Sequence, residues 1–126
     1  MAVLVIAASV VAGCGQRQHF YFGLDHTIPV TLTDYRISPQ NIIVNSGQVH
    51  LVVRNTGILP HNLVIEQFRT PRGKVPHVYG KSPTIHGGQT ATEQEPIFLR
   101  PGIYRMRCAL ANHDDLGQWG TLKVVP

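Results

Sequence analysis

At 126 residues the chain is one domain long, and its 43% apolar content supplies one core but not two. Only 14% of the residues are charged, well under the usual quarter, while Gly (12) and Pro (9) are plentiful. That profile argues against a helical bundle and for an all-β domain rich in turns, and the net charge of +4 is modest.

The chain opens MAVLVIAASVVAGC, with eleven small or apolar residues from Ala2 to Ala12 and then Gly13 and Cys14. The run is too short to span a bilayer as a helix, but it suits the apolar region of a secretory signal. Its ending, VAGC, resembles the bacterial lipoprotein cleavage box, although no Lys or Arg precedes the run. The resemblance implies a signal peptide over 1–13, a lipid on Cys14, and a place outside the cytoplasm, on the periplasmic side of a membrane or at the cell surface. A hydrophobic N-terminal strand is the alternative. With Cys14 lipidated, Cys108 is the one thiol left, so no intramolecular disulfide can form in a compartment that permits them. A free thiol there oxidises unless it is buried or bound to metal.

Residues 14–27, CGQRQHFYFGLDHT, show no clear period and read as a tether, with Phe20, Tyr21 and Phe22 packing on the domain edge. From Ile28 to 126 the pattern is alternation. Ile28, Val30 and Leu32 form a first run, Ile42 and Val44 a second, and Val49, Leu51 and Val53 a third. Leu63 with Ile65, Ile97 with Leu99, Ile103 to Cys108, and Leu122 with Val124 continue it. SPQN, NSGQ, NTGILP and RPG stand between the runs and are turn chemistry at short spacing. Seven to eight short strands in about 100 residues predict an antiparallel β-sandwich with Greek-key connections. No helical stripe, internal repeat or low-complexity tract interrupts it.

The segment from Gln67 to Thr90 breaks the rhythm. It carries Arg69, Arg72, Lys74 and Lys81 and no acid. It reads as a solvated connection between sheets, or as a docking surface for an acidic partner or anionic headgroups. It lacks stacking aromatics interleaved with the charges, and the chain has no phosphate-cradling glycine loop, so a nucleic-acid partner is not expected.

The chemistry gathers around Cys108. A copper ion that changes valence is well served by one thiolate and two imidazoles in a trigonal set with a weak axial fourth donor. Such a site needs a Cys and a His on one loop at a strand end, plus a second His from elsewhere. Cys108 and His113 meet the first requirement, and His61, where a turn runs into a strand in ILPHNLVIE, meets the second. Zinc would also accept these residues with a fourth donor.

Two stretches resemble the cupredoxins, the small blue copper proteins, over roughly Val30 to Val125. VNSGQVHLVVRNTGILPHNLVIE is similar to the family's middle section, in which a Gly turn, an apolar strand and an Asn lead to the first ligand histidine. Its PHN is close to the plastocyanin version. RPGIYRMRCALANH is similar to the strand that ends at the ligand cysteine. The resemblance implies a cupredoxin-like sandwich, one type 1-like copper ion, and His61, Cys108 and His113 as its ligands. It also implies that Asn62 ties the two ligand loops together and hydrogen-bonds near the thiolate.

The family's axial Met is missing, because no Met follows Met106. An azurin-like spacing puts Gly117 in the slot, and a phytocyanin-like spacing puts Gln118 there. Family members commonly read axial ligand, any residue, Gly, then an alternating strand. Gln118, Trp119, Gly120, Leu122 and Val124 fit that register, as in the stellacyanin branch, so Gln118 is the expected fourth ligand. An amide oxygen favours the oxidised ion, which sets a low potential for the family.

Met106 alternates with Cys108 and is expected in the core. His50, His77 and His86 read as surface or internally satisfied histidines, and His19 and His26 as tether residues. By the resemblance, Ile58, Leu59, Pro60, Leu110 and Leu116 supply an apolar docking patch around the histidines. Asp114 and Asp115 suggest a partner with complementary positive groups. The leading expectation is a monomeric one-electron carrier serving a redox protein such as a cytochrome or oxidase, rather than an enzyme. Copper delivery with the same ligands, a small copper enzyme with an open position, and a metal-free relative of the fold are the alternatives. Multicopper chemistry is disfavoured, since no further Cys and no His-x-His pair exists for a trinuclear cluster.

Overall fold

A computed structural model describes residues 18–21 (backbone only), 27–92 and 95–126. Its elements are all strands: β1 (Gln18–Tyr21), β2 (Thr27–Thr33), β3 (Arg36–Ser38), β4 (Asn41–Asn45), β5 (Gly47–Asn55) and β6 (Val64–Gln67), followed by β7 (Val78–Lys81), β8 (Thr90–Thr92), β9 (Ile97–Leu99), β10 (Gly102–Arg107) and β11 (Trp119–Val125). One sheet runs β1-β4-β11-β10-β6-β7, and the other runs β3-β2-β5-β8 with β9 also on β5.

The alternating residues explain the two layers. Ile28, Val30, Leu32, Val49, Leu51 and Val53 from one sheet and Ile42, Val44, Ile65, Met106, Leu122 and Val124 from the other are all buried in one core. Each fully buried aliphatic side chain contributes about 1.5–3 kcal/mol of transfer free energy. Met106 lies inside, as its phase with Cys108 requires, while Ile103 in the same run faces out and is 54% exposed. Tyr104 faces in and donates its hydroxyl to the Arg100 carbonyl at 2.7 Å, pinning the turn that opens β10.

The sandwich has more strands than the sequence pattern gives, eleven among the described residues against the expected seven to eight. The additions include β3, β7 and β8, whose residues are mostly exposed and whose pairing rests on backbone bonds. β3 turns only Ile37 inward and β8 only Ala91, too few to write an alternation into the sequence. β1 falls in the stretch read as a tether and pairs in parallel with β4, Gln18 opposite Asn41. Cys14, the apolar run before it, Phe22 and His26 lie outside the described residues, as do the side chains of His19, Phe20 and Tyr21.

The sheets are mixed rather than purely antiparallel, since β2 with β5, β4 with β11 and β1 with β4 pair in parallel. Parallel neighbours need a crossover rather than a hairpin. Between β2 and β5 the chain supplies one by crossing to the other sheet as β4 and returning.

Candidate metal centre

Three loops and one turn build the site. His61 sits between β5 and β6. Its backbone is clamped against Ile85 by bonds in both directions, 3.1 and 2.8 Å long. Asn55, at the end of β5 and fully buried, holds the intervening loop. Its Nδ2 donates to the carbonyls of Leu59 and Ile85, both at 2.8 Å, and its Oδ1 accepts from Gly57 N at 2.8 Å. Such a satisfied buried amide fixes a loop firmly.

Cys108 follows β10 and is wholly buried, as a free thiol. The turn after it passes through Ala111 and Asn112, both at positive φ (45° and 56°). This conformation costs a non-glycine residue about 1–3 kcal/mol and persists where surrounding bonds over-determine it. Those bonds converge on the site: His113 N donates to Leu110 O, Gln118 N to His113 O and Cys108 N to Gln118 O, at 2.9–3.1 Å. Asn62 joins the two halves, its Oδ1 accepting from Ala109 N at 2.8 Å, beside the thiol.

The outcome is a triangle of donor atoms. His61 Nδ1 and His113 Nδ1 lie 3.1 Å apart, and Cys108 Sγ lies 3.8 and 3.6 Å from them. Among the described residues this is the one group of three His, Cys, Asp or Glu donors gathered closely enough to hold an ion. His50, His77 and His86 take no part in it. A point about 2.0 Å from all three atoms exists, which equals a metal–nitrogen bond and falls a little short of the ~2.3 Å of a metal–thiolate bond. The donor set therefore fits one transition-metal ion in a near-trigonal arrangement.

Gln118 is also fully buried. Its Nε2 donates to Thr33 O at 2.7 Å and Arg36 O at 3.3 Å. Both partners are acceptors, which fixes which end of the amide is nitrogen. The other end, Oε1, is buried without a hydrogen-bond partner. A buried acceptor left so costs about 1–3 kcal/mol. It is a donor atom in want of a ligand, on a residue whose backbone bonds both Cys108 and His113. Gly117 is exposed, with φ of 106°, and offers no side chain. Gly120, which sets the register, is explained by packing: a Cβ there would collide with the Gln40 carbonyl.

The two-residue turn between β2 and β3 carries contacts that sequence reasoning missed. Asp34 Oδ1 lies 3.0 Å from His61 Nε2 and also accepts from the backbone N–H groups of Ile58 and Leu59, both at 3.1 Å. The bond to His61, with those two N–H donors, holds the Asp34 carboxyl below its ordinary range. Tyr35, with φ of 64°, presents its ring edge-on to His113 at 5.4 Å.

Charge around the thiol is arranged by β6 and β10. Glu66, almost fully buried, accepts from Arg107 Nε at 2.9 Å and faces Arg105 at 3.6 Å. Both arginines also face Asp114, at 3.4 and 3.7 Å. Burial works against the Arg107 cation, but Glu66 first, then Asp114 and Cys108, outweigh it and raise its pKa. Asp114 is therefore engaged within the chain, and of the two acids after His113 only Asp115 is exposed.

By sequence, no family model and no curated protein matches the chain. By structure, it is similar to reduced auracyanin from the photosynthetic bacterium Roseiflexus castenholzii, with a TM-score of 0.70 and 18% identity over 82% of this chain and 100% of that one. It is also similar to auracyanin A, a "blue" copper protein from Chloroflexus aurantiacus (TM-score 0.62, 16% identity, 79% of this chain and 98% of the other). A purple cupredoxin from Nitrosopumilus maritimus aligns at TM-score 0.55 and 17% identity, over 77% and 98% of the two chains. The chain thus has the cupredoxin fold.

Proposed function

We propose that this chain holds one copper ion through His61, Cys108, His113 and Gln118 and carries single electrons between redox proteins. In this reading it is anchored outside the cytoplasm by a lipid on Cys14. The observation that carries the proposal is the buried triangle of two imidazole nitrogens and one thiol, sized for a single ion, on a fold shared with blue and purple copper proteins.

Bound copper supplies a centre that gains and loses one electron, and a thiolate with two imidazoles serves both valences. The chain's own residues keep the donors in place. Ile85 and Asn55 fix His61, Asn62 fixes the Cys108 loop, and the backbone bonds from His113 to Gln118 fix the rest. Exposed Ile58, Leu59 and Leu116 give an apolar margin suited to a small, short-lived complex with a cytochrome or oxidase.

A stopped-flow experiment with the copper-loaded protein tests the carrier role. Rapid one-electron exchange with an added redox protein supports it. A protein that fills with copper and surrenders it to an acceptor, but exchanges electrons slowly, would be a delivery protein instead. Azide binding to the oxidised metal would reveal an open position and favour an enzyme.

A further inference from the structure

The turn Asp34–Tyr35 lies 27 residues before His61, carries none of the four proposed ligands, and yet borders three of them. Asp34 meets His61, Tyr35 meets His113, and the carbonyls of the flanking Thr33 and Arg36 hold the Gln118 amide. Of these contacts, the one at Asp34 puts a full negative charge in the second layer of the site.

An imidazole has two nitrogens, and the proton on one fixes the other as a lone pair. His61 Nδ1 faces Cys108 and His113, and Nε2 faces the Asp34 carboxylate at 3.0 Å. A carboxylate can only accept, so Nε2 must carry the hydrogen. Nδ1 is then bare and aimed at the centre of the triangle. The approach is built in: Gly57 leaves room where a Cβ would collide with Asp34 Oδ1, and the N–H groups of Ile58 and Leu59 donate to that same oxygen.

Building on the copper reading above, we infer that Asp34 is a positioning residue that locks His61 in its Nε2–H tautomer and, by its charge, favours the oxidised over the reduced ion. A carboxylate behind a ligating histidine raises the basicity of that ligand, and losing such a partner costs about 10–100-fold in metal affinity. The extra electron density and the negative charge both stabilise the higher valence.

The variants Asp34→Asn and Asp34→Ala separate charge from shape. The Asn side chain can still accept from His61, Ile58 and Leu59 but carries no charge; Ala can do neither. In the copper-loaded protein, Asp34→Asn is expected to weaken the oxidised form relative to the reduced by about tenfold, a rise in potential of about 59 mV. Loss of thermal stability confined to Asp34→Ala, with an unchanged potential in Asp34→Asn, would overturn the inference and leave Asp34 a loop cap. A second arm uses the metal-free protein, where nitrogen-15 NMR reads the His61 tautomer directly. The Nε2–H form in the wild type and a mixed population in Asp34→Ala support the lock; the Nδ1–H form in the wild type overturns it. Failure of the wild type to take up copper would count against the carrier reading, and the metal-free arm would then decide the role of Asp34.

Discussion

The two histidines that face Cys108 are held in opposite ways. His61 is fully buried, its backbone bridged to Ile85 and its outer nitrogen bonded to Asp34. His113 sits 6% exposed on an irregular turn, flanked by Leu110, Asn112, Asp115 and Leu116, with the edge of one aromatic ring as its neighbour. Two chemically equivalent side chains thus have different mechanical settings. One is built into the sandwich and the other lies on the solvent side of the site; in the carrier reading proposed above, His113 is the port for an electron and His61 the anchor.

The strongest way to break this contrast is to remove each imidazole in turn. His113→Gly and His61→Gly are both expected to lack the intense visible band that the proposed site gives the copper-loaded wild type. Added free imidazole should restore most of it in His113→Gly and less in His61→Gly, whose imidazole is fully buried and held from behind by Asp34. Equal rescue of both variants would show that the two positions are not distinguished by access. Next in size is the effect of Gln118→Met. A thioether is a weaker donor than an amide oxygen, so voltammetry should show a higher potential; an unchanged or lower value would remove Gln118 from the coordination sphere.

Smaller effects test the scaffold. Asn62→Ala leaves the Ala109 N–H without its acceptor and should cost about 1–3 kcal/mol in denaturant unfolding, while also altering the thiolate band. Tyr104→Phe, at the other end of β10, should cost about 1 kcal/mol and leave the spectrum untouched. Burial, the largest influence, lifts the Tyr104 hydroxyl above its ordinary value of 10.0. The folded state therefore keeps this proton longer than the unfolded chain does. The associated stability is full below about pH 10 and is lost as pH climbs through the raised value. Urea midpoints measured from pH 9 upward should fall more gently in Tyr104→Phe than in the wild type.

Much of the sandwich was legible because a buried sheet face writes itself into the sequence at a period of two. Ile28, Val30, Leu32, Val49, Leu51 and Val53 are the clearest instances, and all are inside. β7 and β8 left no such trace, since their residues meet solvent and their partners are backbone groups. Nor could the parallel pairing of β2 with β5 be read, because register across a crossover is decided by distant strands rather than by local turns.

At the site, Cys108 and His113 were visible as a pair on one loop, and His61 through the PHN stretch. Gln118 followed from the register of Gly120, Leu122 and Val124. Asp34 and Tyr35 were not visible: TDYR looks like any hairpin turn, and its meaning appears only when the fold brings it against residues 27 and 78 positions away. In the sequence the two acids after His113 look alike as docking charges, yet Asp114 turns inward to Arg105 and Arg107. An alternation of charge along β10, with Arg105 and Arg107 on one face, was the available hint.

Copper held by His61, Cys108 and His113 through a thiolate is read from the visible absorption spectrum of the protein loaded with one equivalent of copper(II), recorded beside Cys108→Ser. An intense thiolate-to-copper band in the wild type, absent from the variant, is the result expected. A colourless wild-type protein, or a band that survives Cys108→Ser, would contradict the account.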